Sequence, residues 1–502
     1  MTDRSAGKRL LSNSRWNASA FAVALLVNFL TVPLVIAAIG LPAFGSAGLV
    51  LAMYAPFSLI GTVLGQAVVR DMAGAAVRGD RAIARRVLWS AAFWAFAGSL
   101  AVAALAATAG KTLLTQLSSG DPSGAGDWSL ALWVGFVGWF MQQSCLLLQS
   151  ALAALQSYAR LALANAVGAV LTAVGLVTAS RLEASDIGFL VGTAIGFVLL
   201  FMCLLVAVLI DAPWLLRPSR WQRTEAASML KFARWQGAAH FTGAAANQAD
   251  RYVLGMVAPL SVVGQYNVAM RLQEVVHMGL LKLVEVLLPH FSITAAEQPQ
   301  QRADFYVRTC WLVNVISVAA LAPLIPISAP LITLWVDQTA AELGATMLQT
   351  LATAGVIGSG VNVFTYFAIA TDQAQRLAYL NLAHSLVLIA LTVPLIFAFG
   401  PIAAGVAYIV GNLMRLVGAG WITLQHFADA LQARALMCST WPPLLGGLLG
   451  AWALGQFDWS ISSWPTLMLA YVGSAIASMS CAVLVSALFT DGRKFITHYV
   501  RN

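Results

Sequence analysis

A chain of 502 residues that is 60% hydrophobic and only 10% charged, with mean hydropathy +0.80, cannot coat a water-soluble surface of its size. A soluble domain carries roughly a quarter charged residues. Runs of about 20 apolar residues recur along the whole sequence, which is the pattern of spanning helices in a polytopic membrane protein.

The first residues, MTDRSAGKRLLSNSR before an apolar run, imitate a secretory signal. The run from Trp16 to Ile39 spans 24 residues, longer than a signal's apolar region, and reads as a first spanning helix that stays in the protein. The remaining spans follow near 47–69, 87–109, 129–155, 161–180, 187–210, 232–256, 261–289, 305–327, 343–370, 377–399, 402–424, 441–456 and 464–489, for an all-α fold of about 14 transmembrane helices. The longest odd-numbered loop, KTLLTQLSSGDPSGAGDW at 111–128, reads as a flexible connector. Five cysteines (Cys145, Cys203, Cys310, Cys438, Cys481) lie far apart in or beside apolar segments. They read as small buried hydrophobes, with no disulfide, metal or cofactor implied.

Sorting the 28 Lys and Arg residues by loop gives an orientation. The N-terminal tail, the even-numbered loops with their margins, and the C-terminal tail hold 22; the odd-numbered loops hold only Lys111 and Arg181. This bias predicts cytoplasmic termini. It also accounts for the net charge of +8 without nucleic acid. The basic clusters from Arg70 to Arg86 and from Arg217 to Arg223 then lie against anionic lipid headgroups.

Residues 160–165 read RLALAN and residues 376–381 read RLAYLN. Each opens a helix after a short loop, six spans apart. The long loops two and eight match at the same interval. The sequence therefore reads as two six-helix lobes, 1–215 and 226–425, with two further helices at 441–490. Because six is even, both lobes enter the membrane from the same side, as a parallel repeat whose central cavity can open to either face.

Residues 270–289, MRLQEVVHMGLLKLVEVLLP, carry Arg271, Glu274, Lys282 and Glu285 inside an apolar span. At 100° per residue these charges and Met278 fall within about 80° of one another, with His277 at the edge of the arc. A charge at mid-membrane costs about 2.5–3.5 kcal/mol on insertion scales, so that face meets protein or water. The same half adds Asp250 and Arg251 in NQADRYVLG and Arg415 in GNLMRLVGAG, whereas the first six spans contain no charge and draw their polarity from amides such as Asn28 and Gln142. Two accounts compete at this point. The charges are either i,i+3 pairs that neutralise each other, or the lining of a cavity for an anionic headgroup, with Arg70, Arg160 and Arg376 at its cytoplasmic mouth.

The stretch 247–275, with Asp250, Leu254, Gly255, Gly264, Tyr266, Ala269, Arg271 and Leu272, is similar to the region around helices seven and eight of bacterial polysaccharide flippases. FGPIAAGVAYIVGN at 399–412 resembles the opening of their helix twelve. The resemblance covers the whole chain and implies the MOP superfamily of exporters, V-shaped two-lobed transporters of MATE type that work by alternating access. It implies a protein of the bacterial cytoplasmic membrane that moves undecaprenyl-pyrophosphate-linked oligosaccharide for surface polysaccharide synthesis. Membrane lipids and the polysaccharide polymerase and export machinery would be its partners. On this resemblance Arg271 and Arg415, with Arg251, Lys282, Asn28 and Gln142 around them, bind the cargo, while Asp250, Glu274 and Glu285 position them or exchange protons. A lipid II flippase is the alternative, although that branch draws on first-lobe arginines; so is a MATE-type drug or cation antiporter, although that branch often carries a first-lobe acid. Enzymatic activity is not expected. The odd-numbered loops are short, and no nucleophile–base pair, metal-ligand spacing or phosphate loop is present.

Overall fold

The computed structural model describes residues 3–119, 128–219, 237, 241, 243–285, 299–371, 373–427, 433–457, 459 and 461–501, and every regular element among them is helical. In hydrocarbon each backbone N–H and C=O must be satisfied within its own segment, which is what a helix does. In chain order the helices are α1 (Asp3–Tyr54), α2 (Leu59–Val77), α3 (Arg81–Leu105), α4 (Lys111–Leu117), α5 (Trp128–Ala154), α6 (Tyr158–Leu182), α7 (Asp186–Asp211), α8 (Ala249–Val257) and α9 (Leu260–Glu285). They continue with α10 (Pro299–Leu321), α11 (Ser328–Trp335), α12 (Gln338–Ser359), α13 (Asn362–Ala370), α14 (Ala374–Phe399), α15 (Ala403–His426), α16 (Ala433–Leu454), α17 (Trp464–Ala487) and α18 (Thr490–Arg501).

Ten described segments are long and apolar enough to cross a membrane. One of them, Ser19–Ala75, has 57 residues. At 1.5 Å per residue that is nearly three times the hydrocarbon thickness, so it holds two crossings. The turn between them is Gly40, whose φ of 78° and ψ of 165° break α1 where a side chain would be strained. The helices α9 and α16 have spanning length but more polar sequences. Residues 232–236, 238–240 and 242 of the expected span 232–256 lie outside the described residues, as do residues 120–127 of the expected connector and Arg220 and Arg223 of the second basic cluster. The first part of that connector is not a loop: Lys111–Leu117 is helical and continues α3 through one π turn, Ala106–Gly110.

The chain divides into two compact units, Met1–Gly264 and Gln265–Asn502. In the first, Met72, Ala91, Leu152, Leu204 and Leu215 form a core shared by α2, α3, α5 and α7. Amides and hydroxyls tie its helices together. The Gly61 amide donates to Gln143 Oε1 at 3.0 Å, Gln149 Nε2 to Asn165 Oδ1 at 2.9 Å, and Tyr54 Oη to the Leu132 carbonyl at 2.8 Å. These bonds replace the hydrophobic drive that lipid removes. The short α8 is held in the same way, since Tyr252 Oη donates to the Ala52 carbonyl at 2.7 Å and Gly255 lies on the Leu117 carbonyl.

In the second unit α16 and α17 are integral to the packing. Gly446, Gly447 and Gly450 form a small-residue face. A Cβ on Gly447 would lie 2.1 Å from Val318 on α10, and one on Gly450 would lie 3.0 Å from the Cys481 sulfur on α17. Asn314 Nδ2 donates to the Ser439 carbonyl at 3.2 Å, and Tyr471 Oη to the Ala320 carbonyl at 2.8 Å. The five cysteines are free.

A Cβ at Gly255 would sit 2.2 Å from a backbone oxygen, whereas one at Gly279 meets nothing within 4 Å. Gly255→Val is therefore expected to destabilise the folded protein by about 1–3 kcal/mol through overpacking. Gly279→Ala is expected to leave it unchanged or slightly firmer. Thermal unfolding in detergent, followed by loss of the monodisperse peak, compares the two.

Candidate functional site

The charged helix α9 cannot rotate freely, because three contacts within the second unit set its orientation. Gln265 Nε2 donates to the Thr339 carbonyl at 2.8 Å, and Tyr366 Oη donates to the Leu281 carbonyl at 3.3 Å. Between them Gln273 lies against Gly355 of α12, where a Cβ would come within 2.8 Å of its amide nitrogen. With Gln273 turned into the bundle, helical geometry turns Arg271, Met278 and Lys282 away from it. These three are exposed, as the periodicity predicted, and Tyr266, Ala269 and Leu272 on the other side are buried.

Arg271 and Glu274 form an ion pair at 3.6 Å with their side chains 47% and 44% exposed. Acyl chains cannot solvate such a pair, so this face meets water or polar groups. Arg271 and Glu274 thus pair with each other, and the pair is accessible. Lys282 is exposed on the same face, and the Glu285 side chain lies outside the described residues.

A second group of polar side chains lies on α9, α14 and α15. Half-buried Arg415 of α15 exerts its charge on His277 of α9 and on His384 of α14. The His384 ring rests on Gly411, one turn before Arg415, where a Cβ would lie 3.3 Å from its Nε2. Arg415 Nε, His277 Nδ1 and His384 Nε2 are each shielded and have no hydrogen-bond partner among the described residues. An unsatisfied buried polar group costs about 1–3 kcal/mol. The arginine's own position is held by its neighbour: Asn412 Nδ2 donates to the Ala354 carbonyl at 3.0 Å, and its side chain fills the space above Gly358.

The remaining sequence-predicted residues are placed elsewhere or otherwise engaged. Asp250 is 1% exposed and its Oδ1 accepts the Arg251 amide at 2.7 Å, while the Arg251 guanidinium donates to Gln248. Both belong to the first unit. Asn28 is exposed and donates to the Ala24 carbonyl of its own helix; Gln142 is half-buried. At the expected mouth Arg70 forms a two-point pair with Asp71, Arg160 pairs with Asp211, and Arg376 is exposed. Arg160 and Arg376 each occupy the third position of their helices, α6 and α14. The sequence reading did not single out His384 or Asn412. Counting only Asp, Glu, Lys and Arg inside spans passed over a histidine in the apolar run LNLAHSLVLIA, which was the available signal.

Built of helices long and apolar enough to cross a membrane, the chain is a multi-pass membrane protein. No protein-family model and no curated protein sequence matches it. Solved structures do. The lipid II flippase MurJ in an inward closed conformation is similar over 98% of this chain and 99% of that one, with a TM-score of 0.71 and 12% identity. A multidrug resistance MATE family transporter of the MOP superfamily, in an inward-facing conformation, is similar over 84% of this chain and all of that one, with a TM-score of 0.66 and 15% identity. The eukaryotic MATE transporter AtDTX14 follows with a TM-score of 0.61 and 14% identity, over 86% of this chain and 98% of that one. At these identities the likeness is one of fold: this chain has the fold shared by MurJ and the MATE transporters.

If the Arg271 face meets water, cysteines placed there in a cysteine-free background should react with a charged, membrane-impermeant thiol reagent. Arg271→Cys and Met278→Cys are expected to label several-fold faster than Leu280→Cys, which is 4% exposed. Equal rates would mean that the stripe is occluded.

Proposed function

We propose that this protein is a flippase that moves a polyprenyl-pyrophosphate-linked oligosaccharide across the bacterial cytoplasmic membrane by alternating access, for surface polysaccharide synthesis. The observation that carries this reading is the Arg415 group: a guanidinium inside a membrane unit that acts on two imidazoles, each of the three with a shielded nitrogen that has no hydrogen-bond partner among the described residues. Such an arrangement is costly unless an anion completes it. A pyrophosphate diester carries two negative charges and several acceptor oxygens, which suit guanidinium donors. Arg271 adds a second, accessible cation, and Glu274 holds it in place until cargo competes for it. The polyprenyl tail remains in the bilayer.

The match over 98% of the chain with a lipid-linked-substrate flippase, against 84–86% with MATE transporters, supports a cargo of that kind over a soluble drug. Lipid II itself is the second candidate. The described part of the first unit keeps its intramembrane amides Gln143, Gln149 and Asn165 in bonds within itself. Both termini are placed in the cytoplasm, on the loop charges alone.

A charge-assisted hydrogen bond contributes about 1.5–3 kcal/mol, so Arg415→Ala and Arg271→Ala should each lower export at limiting cargo by about ten- to a hundredfold. Surface polymer and the lipid extract of a strain carrying each variant are measured together. Lost polymer with polyprenyl-pyrophosphate oligosaccharide accumulating on the cytoplasmic face is the expected result. Unimpaired polymer in both variants would refute the assignment, and raised drug sensitivity with a normal lipid profile would point to a drug exporter.

A further inference from the structure

We propose that His277 and His384 complete the anion pocket of Arg415, and that loading a pyrophosphate dianion there takes up about one proton on these imidazoles. The inference rests on the pyrophosphate reading above and adds a regulation that nothing in the charge pattern of the sequence required.

The argument is one of charge and geometry. A pyrophosphate diester enters with two negative charges. Arg271 already shares its charge with Glu274 at 3.6 Å, so within the pocket Arg415 offers one uncompensated positive charge. The second must come from a group that can gain a proton, and the two side chains on which Arg415 acts are both histidines. Imidazole, whose ordinary pKa is about 6.5, is the side chain able to do this near neutrality. The fold provides for it locally. Gly411 has no side chain, which lets the His384 ring lie on α15 one turn from the guanidinium. His277 is carried to the same corner by the anchoring of α9 at Gln273. The nitrogens His277 Nδ1, His384 Nε2 and Arg415 Nε, shielded and without a hydrogen-bond partner among the described residues, are the donors an anion would use.

No other titratable group competes for this role on the helices around the pocket. On α9 the charged groups are Arg271, Glu274, Lys282 and Glu285, of which the first two form a pair. On α12 the only one is Glu342, in its second turn, far from Gly355. On α14 it is Arg376, which acts instead on His426 at the far end of α15.

The test uses purified full-length protein in detergent and P1,P2-dimethyl pyrophosphate, a dianion that does not itself titrate near neutrality. Isothermal titration at pH 7 in two buffers of different ionisation heat counts the protons taken up. Titration at pH 6, 7 and 8 reads the affinity. The wild type is expected to take up about one proton, with affinity falling about tenfold per pH unit above the imidazole range. In the double variant H277N/H384N the residual binding should no longer depend on pH. Binding without proton uptake in the wild type, pH dependence retained by the double variant, or no binding at any pH would each overturn the proposal. The proton count in the wild type needs no variant to fold.

Displacement by a short-chain polyprenyl-pyrophosphoryl sugar at lower concentration than inorganic phosphate would support a lipid-linked source. Equal displacement by phosphate would overturn that source. Proton-linked binding by a protein whose deletion leaves polymer and lipids unchanged would remove the cargo reading and sustain the pocket.

Discussion

The hydrocarbon layer gives a charged group no solvent, and everything distinctive in this protein follows from where it keeps charge within its helices. Each guanidinium or carboxylate inside a span must be paired, hydrated or bound. The Arg271–Glu274 pair meets that condition on an accessible face, and Asp250 meets it inside a packed unit by accepting a backbone amide. Arg415 meets it only in part. Its shielded nitrogen, and those of the two imidazoles on which it acts, have no hydrogen-bond partner among the described residues. Unfilled hydrogen-bonding requirements beside a cation within a span are what the proposed binding site rests on.

Packing serves this arrangement at each step. Helix association in lipid depends on close backbone approach and on side-chain hydrogen bonds, and the glycines sit where those approaches occur. Gly355 admits Gln273 and so sets the rotation of α9; Gly358 admits Asn412 and so steadies the turn that carries Arg415; Gly411 admits His384. Three residues without side chains thus determine which polar groups meet. The two C-terminal helices stiffen the same unit from outside the pocket, through the small-residue face at Gly446, Gly447 and Gly450. Their function in the fold is support for α10 rather than a separate module.

Transport would follow from the same constraints. A cargo whose headgroup is anionic and whose tail is apolar needs a polar site only for the head. On the reading proposed above, a site one positive charge short of its ligand, with two imidazoles near its arginine, would link occupancy to proton concentration. The accessible Arg271–Glu274 pair offers a first contact that is weak by itself, since exposed pairs contribute about 0–1 kcal/mol. Entry and release then differ in how many charges the headgroup meets, and that difference is what a transporter has to vary.

Much of this was legible in the amino-acid sequence. Apolar runs of spanning length give the membrane class, and a 100° periodicity places Arg271, Met278 and Lys282 on one exposed face of α9, because both depend on neighbours along a single helix. Other features depend on residues far apart in the chain. Gln143, Gln149 and Asn165 look like a polar lining in the sequence, yet they are used in bonds to Gly61 and to each other. Lys111–Leu117 looks like a connector, but a helix already formed at α3 extends into it at little further cost. The meeting of His277, His384 and Arg415 could not be read from spacing at all, since it joins residues 107 and 138 positions apart. The sequence by itself determined which segments enter the membrane and which helix face is polar; only the tertiary structure decided which polar groups neutralise one another and which are left to bind, because that depends on helix rotation and on contact between helices distant in the chain.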